Sequence, residues 1–227
     1  MPELKLNLGK SFRVPAKEFT AAPFVPKTRD LEKLRRSSLS CRGCPLYRAA
    51  TQTVFGEGPK RARVVMLGEQ PGNQEDLQGR PFVGPAGGLL DKALQEVDLK
   101  RAEIYISNVV KHFKFLRKGK IRFHQKPTGL EIRACRPWLE AELESIQPDV
   151  TVCMGASAAQ GLLGRHVTLK NERGKILSSP LGGRLLLTVH PSSILRAPDD
   201  NSRHAEYKRF VQDLRQIQKV LHGDVSR

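Results

Sequence analysis

No apolar run in this 227-residue chain approaches the roughly 18–20 residues needed to span a bilayer. The first residues lack the apolar core of a secretory signal, so a cytoplasmic, nucleoid-associated protein with no membrane partner is the expectation. Acidic residues are in short supply: 23 Asp and Glu stand against 39 Lys and Arg, a formal charge of +16. That excess favours a polyanionic partner such as nucleic acid, held by counterion release. There are only four cysteines, and in a reducing compartment they are not expected to form structural disulfides. The spacing Cys41-Arg42-Gly43-Cys44 points instead to metal or redox chemistry. The glycine-rich stretch from Gly68 to Gly88 is neither a P-loop, since no Gly-Lys-Ser/Thr follows, nor a dinucleotide-binding fingerprint.

What remains reads as one domain, long enough for a substantial core. Residues 1–28 carry four prolines among lysines and small residues, and form a basic leader that is flexible or wraps the surface; the domain is placed at 29–227. A short amphipathic helix is expected over residues 30–37. Buried strands are expected over 63–68, 104–107, 149–155 and 185–190, each an apolar run closed by glycine or polar residues. Helices are expected over 86–97, 128–146, 156–163 and 203–221, and turns or a hairpin over 170–180. Thr128 and Glu131 have the spacing of a capping box.

Strands alternating with helices give an α/β fold: a three-layer αβα sandwich around a mainly parallel four-stranded sheet. In such sheets ligands bind beyond the carboxyl ends of the strands. The segments Gly68–Gly72, Asn108 and His190-Pro191-Ser192-Ser193 each follow a strand directly, so all three are expected at one edge. The glycines let backbone approach a flat ligand, and Phe82 offers either a stacking face or a core residue. A second unusual stretch is the basic run from Lys111 to Pro127, with two of the six histidines and no helical or alternating apolar rhythm. A loop of this length in a compact domain is usually functional or disordered.

Three ordered strings carry a resemblance. They are Gly68-Glu-Gln-Pro-Gly-x-x-Glu-Asp76-x-x-Gly-x-Pro-Phe82-Val-Gly-Pro-Ala-Gly, Ser107-Asn-Val-Val-Lys-His-Phe-Lys-Phe115, and His190-Pro-Ser-Ser-Ile-Leu-Arg196. From about Cys41 to the C-terminal helix the chain resembles the iron–sulfur uracil-DNA glycosylases of family 4, and within them the UdgX type. The resemblance implies the uracil-DNA glycosylase fold and a substrate of uracil-containing DNA, with single strands accepted, acted on by a monomer. It implies that Gln70 and Gly72 face the uracil and abasic sugar, with Asp76 of the same string among the substrate-binding residues. Phe82 would stack on the flipped base and Asn108 would read its edge, pairing with O4 and N3–H together. His190 would stabilise the departing uracil near O2, and Ser192, Ser193 and Arg196 would engage the DNA backbone.

The resemblance also implies a [4Fe–4S] cluster held by Cys41, Cys44, Cys135 and, in place of a fourth cysteine, His112; histidine can replace cysteine on iron. Cys153 is the competing ligand, although its place inside an apolar strand suits an ordinary buried cysteine. The UdgX type carries an inserted basic loop, Lys-Arg-Arg-Ile-His, whose histidine captures C1′ once uracil has left. Here the run is Lys120-Ile121-Arg122-Phe123-His124, which keeps the histidine and reorders the residues before it. His124 would be the nucleophile, with Glu69 as a carboxylate holding its other nitrogen, and the lysines and arginines of the loop would hold phosphate. The expectation is a glycosylase that stays bonded through His124. Turnover without capture, and a non-catalytic iron–sulfur DNA-binding module, remain the alternatives.

Overall fold

A computed structural model of the chain describes residues 19–223; most of the expected leader, residues 1–18, lies outside the described residues. Five strands form the central sheet: β1 (Val64–Gly68), β2 (Ile104–Asn108), β5 (Val150–Met154), β6 (Ile176–Ser178) and β7 (Arg184–Thr188). Their order is β2-β1-β5-β7-β6. The first four are mutually parallel, and β6 closes the edge antiparallel to β7. The expected four-stranded sheet thus gains a fifth strand from the segment read as turns or a hairpin. β6 is three residues long and only half-buried, too short to show a period.

Strands β1, β2 and β5 are buried along their whole length, as parallel strands covered on both faces should be. One face carries α1 (Leu31–Ser38), α4 (Gly129–Ile146) and α5 (Ala156–Leu163), packed around Trp138, Leu139 and Leu162. The other carries α3 (Pro85–Gln95), α7 (Pro191–Leu195) and α8 (Asp200–Leu221), around Leu90, Leu94, Phe210 and Leu214. The short helices α2 (Asn73–Gln78) and α6 (Leu169–Glu172) complete the set. The capping box at the start of α4 forms as read: Thr128 Oγ1 accepts the Glu131 N–H and Glu131 accepts the Thr128 N–H.

One segment departs from the sequence reading. Residues 111–126 do not form an open loop: Phe115–Lys118 (β3) and Ile121–His124 (β4) pair as an antiparallel hairpin about Gly119, whose φ of 57° suits the turn. The described part of the leader lies against the domain. Ala21 is buried and its N–H donates to Ala134 O, while Phe19, Phe24 and Val25 pack on the core. Gly43 allows this crossing, because a Cβ there would sit 2.6 Å from Ala21 Cα.

Candidate active site

Parallel strands bring the ends of β1, β2 and β7 to one edge, and the expected site residues meet there. The end of β2 is stitched to the loop after β1, since Val109 N donates to Gly68 O and Val110 N to Glu69 O. Gly68 sits beneath two side chains: a Cβ on it would lie 2.3 Å from Asn108 Oδ1 and 2.8 Å from Phe82 Cζ. Only glycine permits that approach. Asn108 is buried, and among the described residues its Oδ1 has no hydrogen-bond partner. An orphaned buried carbonyl of this kind is costly and calls for a donor from outside the chain.

Phe82 is also buried and adopts φ 55°, a left-handed conformation that costs a phenylalanine energy. Arg101 holds that turn by donating to Pro81 O and Phe82 O while pairing with Asp91. Glu75 ties the two glycine-rich loops together, accepting from Gly72 N at 3.1 Å and Gly84 N at 2.8 Å. The Phe82 ring lies 5.6 Å from that of His190.

His190 caps α7, and its Nδ1 accepts the Ser192 N–H at 3.1 Å. Burial first, then the charge of Arg196, pushes His190 down to about 4, so the ring is neutral at pH 7. A neutral ring that accepts at Nδ1 carries its proton on Nε2. Ser193 Oγ donates to His190 O, and Ser192 Oγ lies 2.8 Å from Nδ1.

His124, at the end of β4, is half-exposed, with Nε2 2.9 Å from Gln70 Nε2 and 3.7 Å from Glu69 Oε1. The orientation of the Gln70 amide is fixed by backbone: its Oε1 accepts the Lys114 N–H at 3.0 Å, so its Nε2 faces Gln125 O, Lys114 O and His124. An amide nitrogen only donates, so the lone pair of His124 resides on Nε2. Burial lowers the His124 pKa; Glu69 opposes this and Arg196 adds to it.

These distances alter three expected roles. Glu69 stands near Nε2 itself, not at the other ring nitrogen. The Gln70 side chain binds the hairpin, leaving its backbone to face a ligand. Asp76 is fully buried, accepting from Thr51 N and pairing with Arg122 Nη1 on β4. It therefore secures the hairpin from below. The loop cations divide likewise. Arg122 is held by Asp76 and Asn73, Lys114 pairs with Glu131, and Lys111 is fully buried against Glu142. Arg117, Lys118 and Lys120 remain at the hairpin tip.

Sequence reasoning missed Glu142 altogether. Its carboxylate accepts from Gly56 N, Tyr105 Oη, Ser107 Oγ and Lys111 Nζ, and Lys111 Nζ also donates to Asn108 O. The only signal was a glutamate on the buried side of an otherwise apolar helix stripe.

Behind this network lie the expected cluster ligands. The Lys111 N–H donates to Cys135 Sγ at 3.3 Å, and Trp138 Nε1 donates to Cys41 Sγ at 3.2 Å. Burial pushes Cys44 up to about 11 and Cys135 up to about 12, and each also feels the neighbouring cysteines. Cys153, on β5, is raised by burial alone. Thr53 Oγ1 donates to Ser38 O and lies 3.0 Å from His112 Nε2. Its single proton is spent on Ser38, so His112 Nε2–H donates to it and Nδ1 keeps the lone pair. Burial pushes His112 down to about 4, which keeps the ring neutral. A cavity of about 220 Å³ is lined by Cys41, Tyr47, Thr53 and His112. Among the described residues no group of three or more His, Cys, Asp or Glu is arranged to hold a metal ion.

A family model described as the uracil DNA glycosylase superfamily matches residues 55–215. A type-4 uracil-DNA glycosylase of Thermotoga maritima is 39% identical over 181 residues, covering 79% of this chain and 87% of that protein. Its counterpart from Archaeoglobus fulgidus is 35% identical over 175 residues, covering 74% and 84%. One from Pyrobaculum aerophilum is 35% identical over 176 residues, covering 74% and 86%.

Proposed function

Because the chain belongs to the uracil DNA glycosylase superfamily, we propose that it excises uracil from DNA and that His124 then bonds to C1′ of the abasic sugar. A base inside a duplex is out of reach, so the substrate is a flipped nucleotide or a single strand. The uracil lies against Phe82. Asn108 Oδ1, the orphaned acceptor, takes the uracil N3–H while its amide nitrogen donates to O4.

As the C1′–N1 bond breaks, its electron pair leaves with uracil and the sugar becomes oxocarbenium-like. His190 Nε2–H donates to uracil O2, where the negative charge gathers, and the preorganised ring costs no reorientation at that moment. The lone pair on His124 Nε2 then forms the new bond to C1′. The imidazole becomes an imidazolium, and the Glu69 carboxylate 3.7 Å away offsets its charge. The observation that carries this reading is the fixed Gln70 amide, which leaves His124 Nε2 unprotonated at the same edge as Asn108 and His190. One chain supplies every group named, so a monomer suffices. Among the described residues no helix is long and apolar enough to cross a membrane.

Three thiols and an imidazole with a free Nδ1, two of the sulfurs receiving N–H donors, make a donor set that fits a [4Fe–4S] cluster. Cys41, Cys44, Cys135 and His112 would hold it, through Nδ1 of the histidine. When bound, it supplies a cross-link joining the loop before β1, the start of the hairpin and α4. Cys153 stands apart from this group. His112→Ala is expected to lose the brown colour and most of the iron, and Cys153→Ser to keep both. The reverse pattern in an iron assay would reassign the fourth ligand.

Incubation with uracil-containing single-stranded DNA and a denaturing gel test the reaction. A heat-stable band of retarded mobility is expected, and free abasic DNA without that band would leave excision and remove capture. Unchanged DNA would remove both. A pH series adds a further expectation. The His124 pKa lies below the ordinary value of about 6.5, so the nucleophile is already neutral at pH 7 and gains nothing at higher pH. The single-turnover capture rate should be flat from pH 7 to 9 and fall only in more acid solution. A rate still climbing tenfold per pH unit above 7 would contradict a neutral, lowered-pKa imidazole.

A further inference from the structure

We propose that the outer face of the β3–β4 hairpin is a stacking platform for the base that flanks the excised uracil in single-stranded DNA, an inference that rests on the glycosylase reading above. Direct cross-strand pairs alternate between the two faces of a hairpin. The register places Phe115 opposite His124 and Arg117 opposite Arg122, facing inward, and Leu116 opposite Phe123 and Lys118 opposite Ile121, facing outward. The inward face is engaged at His124 and Arg122. His124 meets Gln70, Arg122 meets Asp76 and Asn73, and the Arg122 guanidinium lies 5.0 Å and 5.5 Å from the Phe115 and Phe113 rings.

Among the described residues the outward face is left largely to water. Leu116, Ile121 and Phe123 are 50%, 61% and 45% exposed, side by side on one short ribbon. A two-stranded hairpin is marginal by itself, and among the described residues this one is held from its inner face. Three apolar side chains left to water on the element that delivers the nucleophile ask for a partner.

Charge identifies it. No acidic residue lies between Lys114 and Lys126, and Lys118 and Lys120 share the ribbon with the strip. Lys118 Nζ sits 6.0 Å over the Phe123 ring. A second copy of a chain with charge +16 would bring like charges together, whereas a nucleic-acid strand matches the rim with phosphate and the apolar strip with base faces. Aromatic platforms beside basic side chains are how single strands are held without regard to sequence, since every base has a π-face. Phe123 adjoins His124, so its Cα lies about 3.8 Å from that of the residue bonding C1′. The two side chains leave opposite faces of the ribbon, so a strand whose abasic sugar meets His124 crosses the ribbon's edge to bring the flanking base to the ring. Arg122 and Gln70 clamp the inner face and fix that relation.

The test uses single strands carrying 2′-fluoro-2′-deoxyuridine, which resists excision, with 2-aminopurine placed immediately 5′ or 3′ of it. Wild-type protein is expected to quench the fluorophore on one of the two flanks. Phe123→Ala should lose that quenching and bind roughly tenfold more weakly, and Phe123→Trp should keep both. The exposed position makes misfolding avoidable, and the melting temperature checks it. Equal affinity and equal quenching in Phe123→Ala would overturn the proposal. So would a DNA-free dimer, seen in sedimentation and abolished by Phe123→Ala without any change in DNA binding, which would assign the face to a second copy. Excision of ordinary deoxyuridine by the wild type, run in parallel, separates the two levels. If it occurs and binding ignores Phe123, only the platform fails; if it does not occur, both fail.

Discussion

His124→Ala is expected to abolish the heat-stable protein–DNA adduct completely and to leave free abasic DNA as the product of excision. The alanine variant keeps Asn108 with its unpaired acceptor, Phe82 in its left-handed turn, and His190 with its proton on Nε2. In the proposed reaction those groups act on the base, and none of them is held by the His124 ring. Gln70 loses one neighbour but retains its three contacts with Lys114 and Gln125, so the hairpin stays pinned. Water then reaches C1′ in place of imidazole, with Glu69 still at hand to take a proton. An adduct surviving in His124→Ala would assign capture to another side chain.

The largest effect on stability is expected from Glu142→Ala. The Lys111–Glu142 pair is 1% exposed on both sides, and the carboxylate accepts from three further donors. Removing one partner leaves an uncompensated charge in the core, which costs about 3–5 kcal/mol. For a chain of this size that lowers the thermal midpoint by roughly 10 °C. Replacing both partners with apolar residues, as in Lys111→Met with Glu142→Leu, should restore part of the loss, because no buried charge remains. The double variant also isolates a functional part. Lys111 Nζ donates to Asn108 O, so its removal loosens the backbone of the residue proposed to read uracil. The refolded double variant should show reduced kcat/KM for uracil excision even where its melting point recovers. A single variant with an unchanged melting point would contradict the buried-pair account.

The sheet was legible in the sequence because its strands are apolar runs closed by glycine or polar residues. The meeting of Gly68, Asn108 and His190 followed from the rule that such strands present their ends at one edge. The hairpin was not legible. Each of its strands is four residues long, and Leu116, Ile121 and Phe123 alternate with arginine and lysine without any buried face. Their packing comes from Arg122 and Gln70, whose partners lie some 44 to 55 residues away in the chain. The resemblance placed Gln70 and Asp76 among the substrate residues, and the fold adds that their side chains bind the hairpin. Lys111 read as part of a basic surface, and only the fold reveals Glu142 beside it. The grouping of His112 with Cys41, Cys44 and Cys135 came from resemblance. Its physical support, the N–H donors to two sulfurs and the free Nδ1, needed side-chain geometry.

In the proposed reaction His124 Nε2 replaces uracil N1 at C1′. Intact mass spectrometry of the product formed with a uracil-containing single strand reads this directly, with peptide mapping of the modified segment. The expected mass is that of the protein plus the oligonucleotide less one uracil, with the modification on His124. Protein of unmodified mass beside an oligonucleotide bearing an abasic site would contradict it.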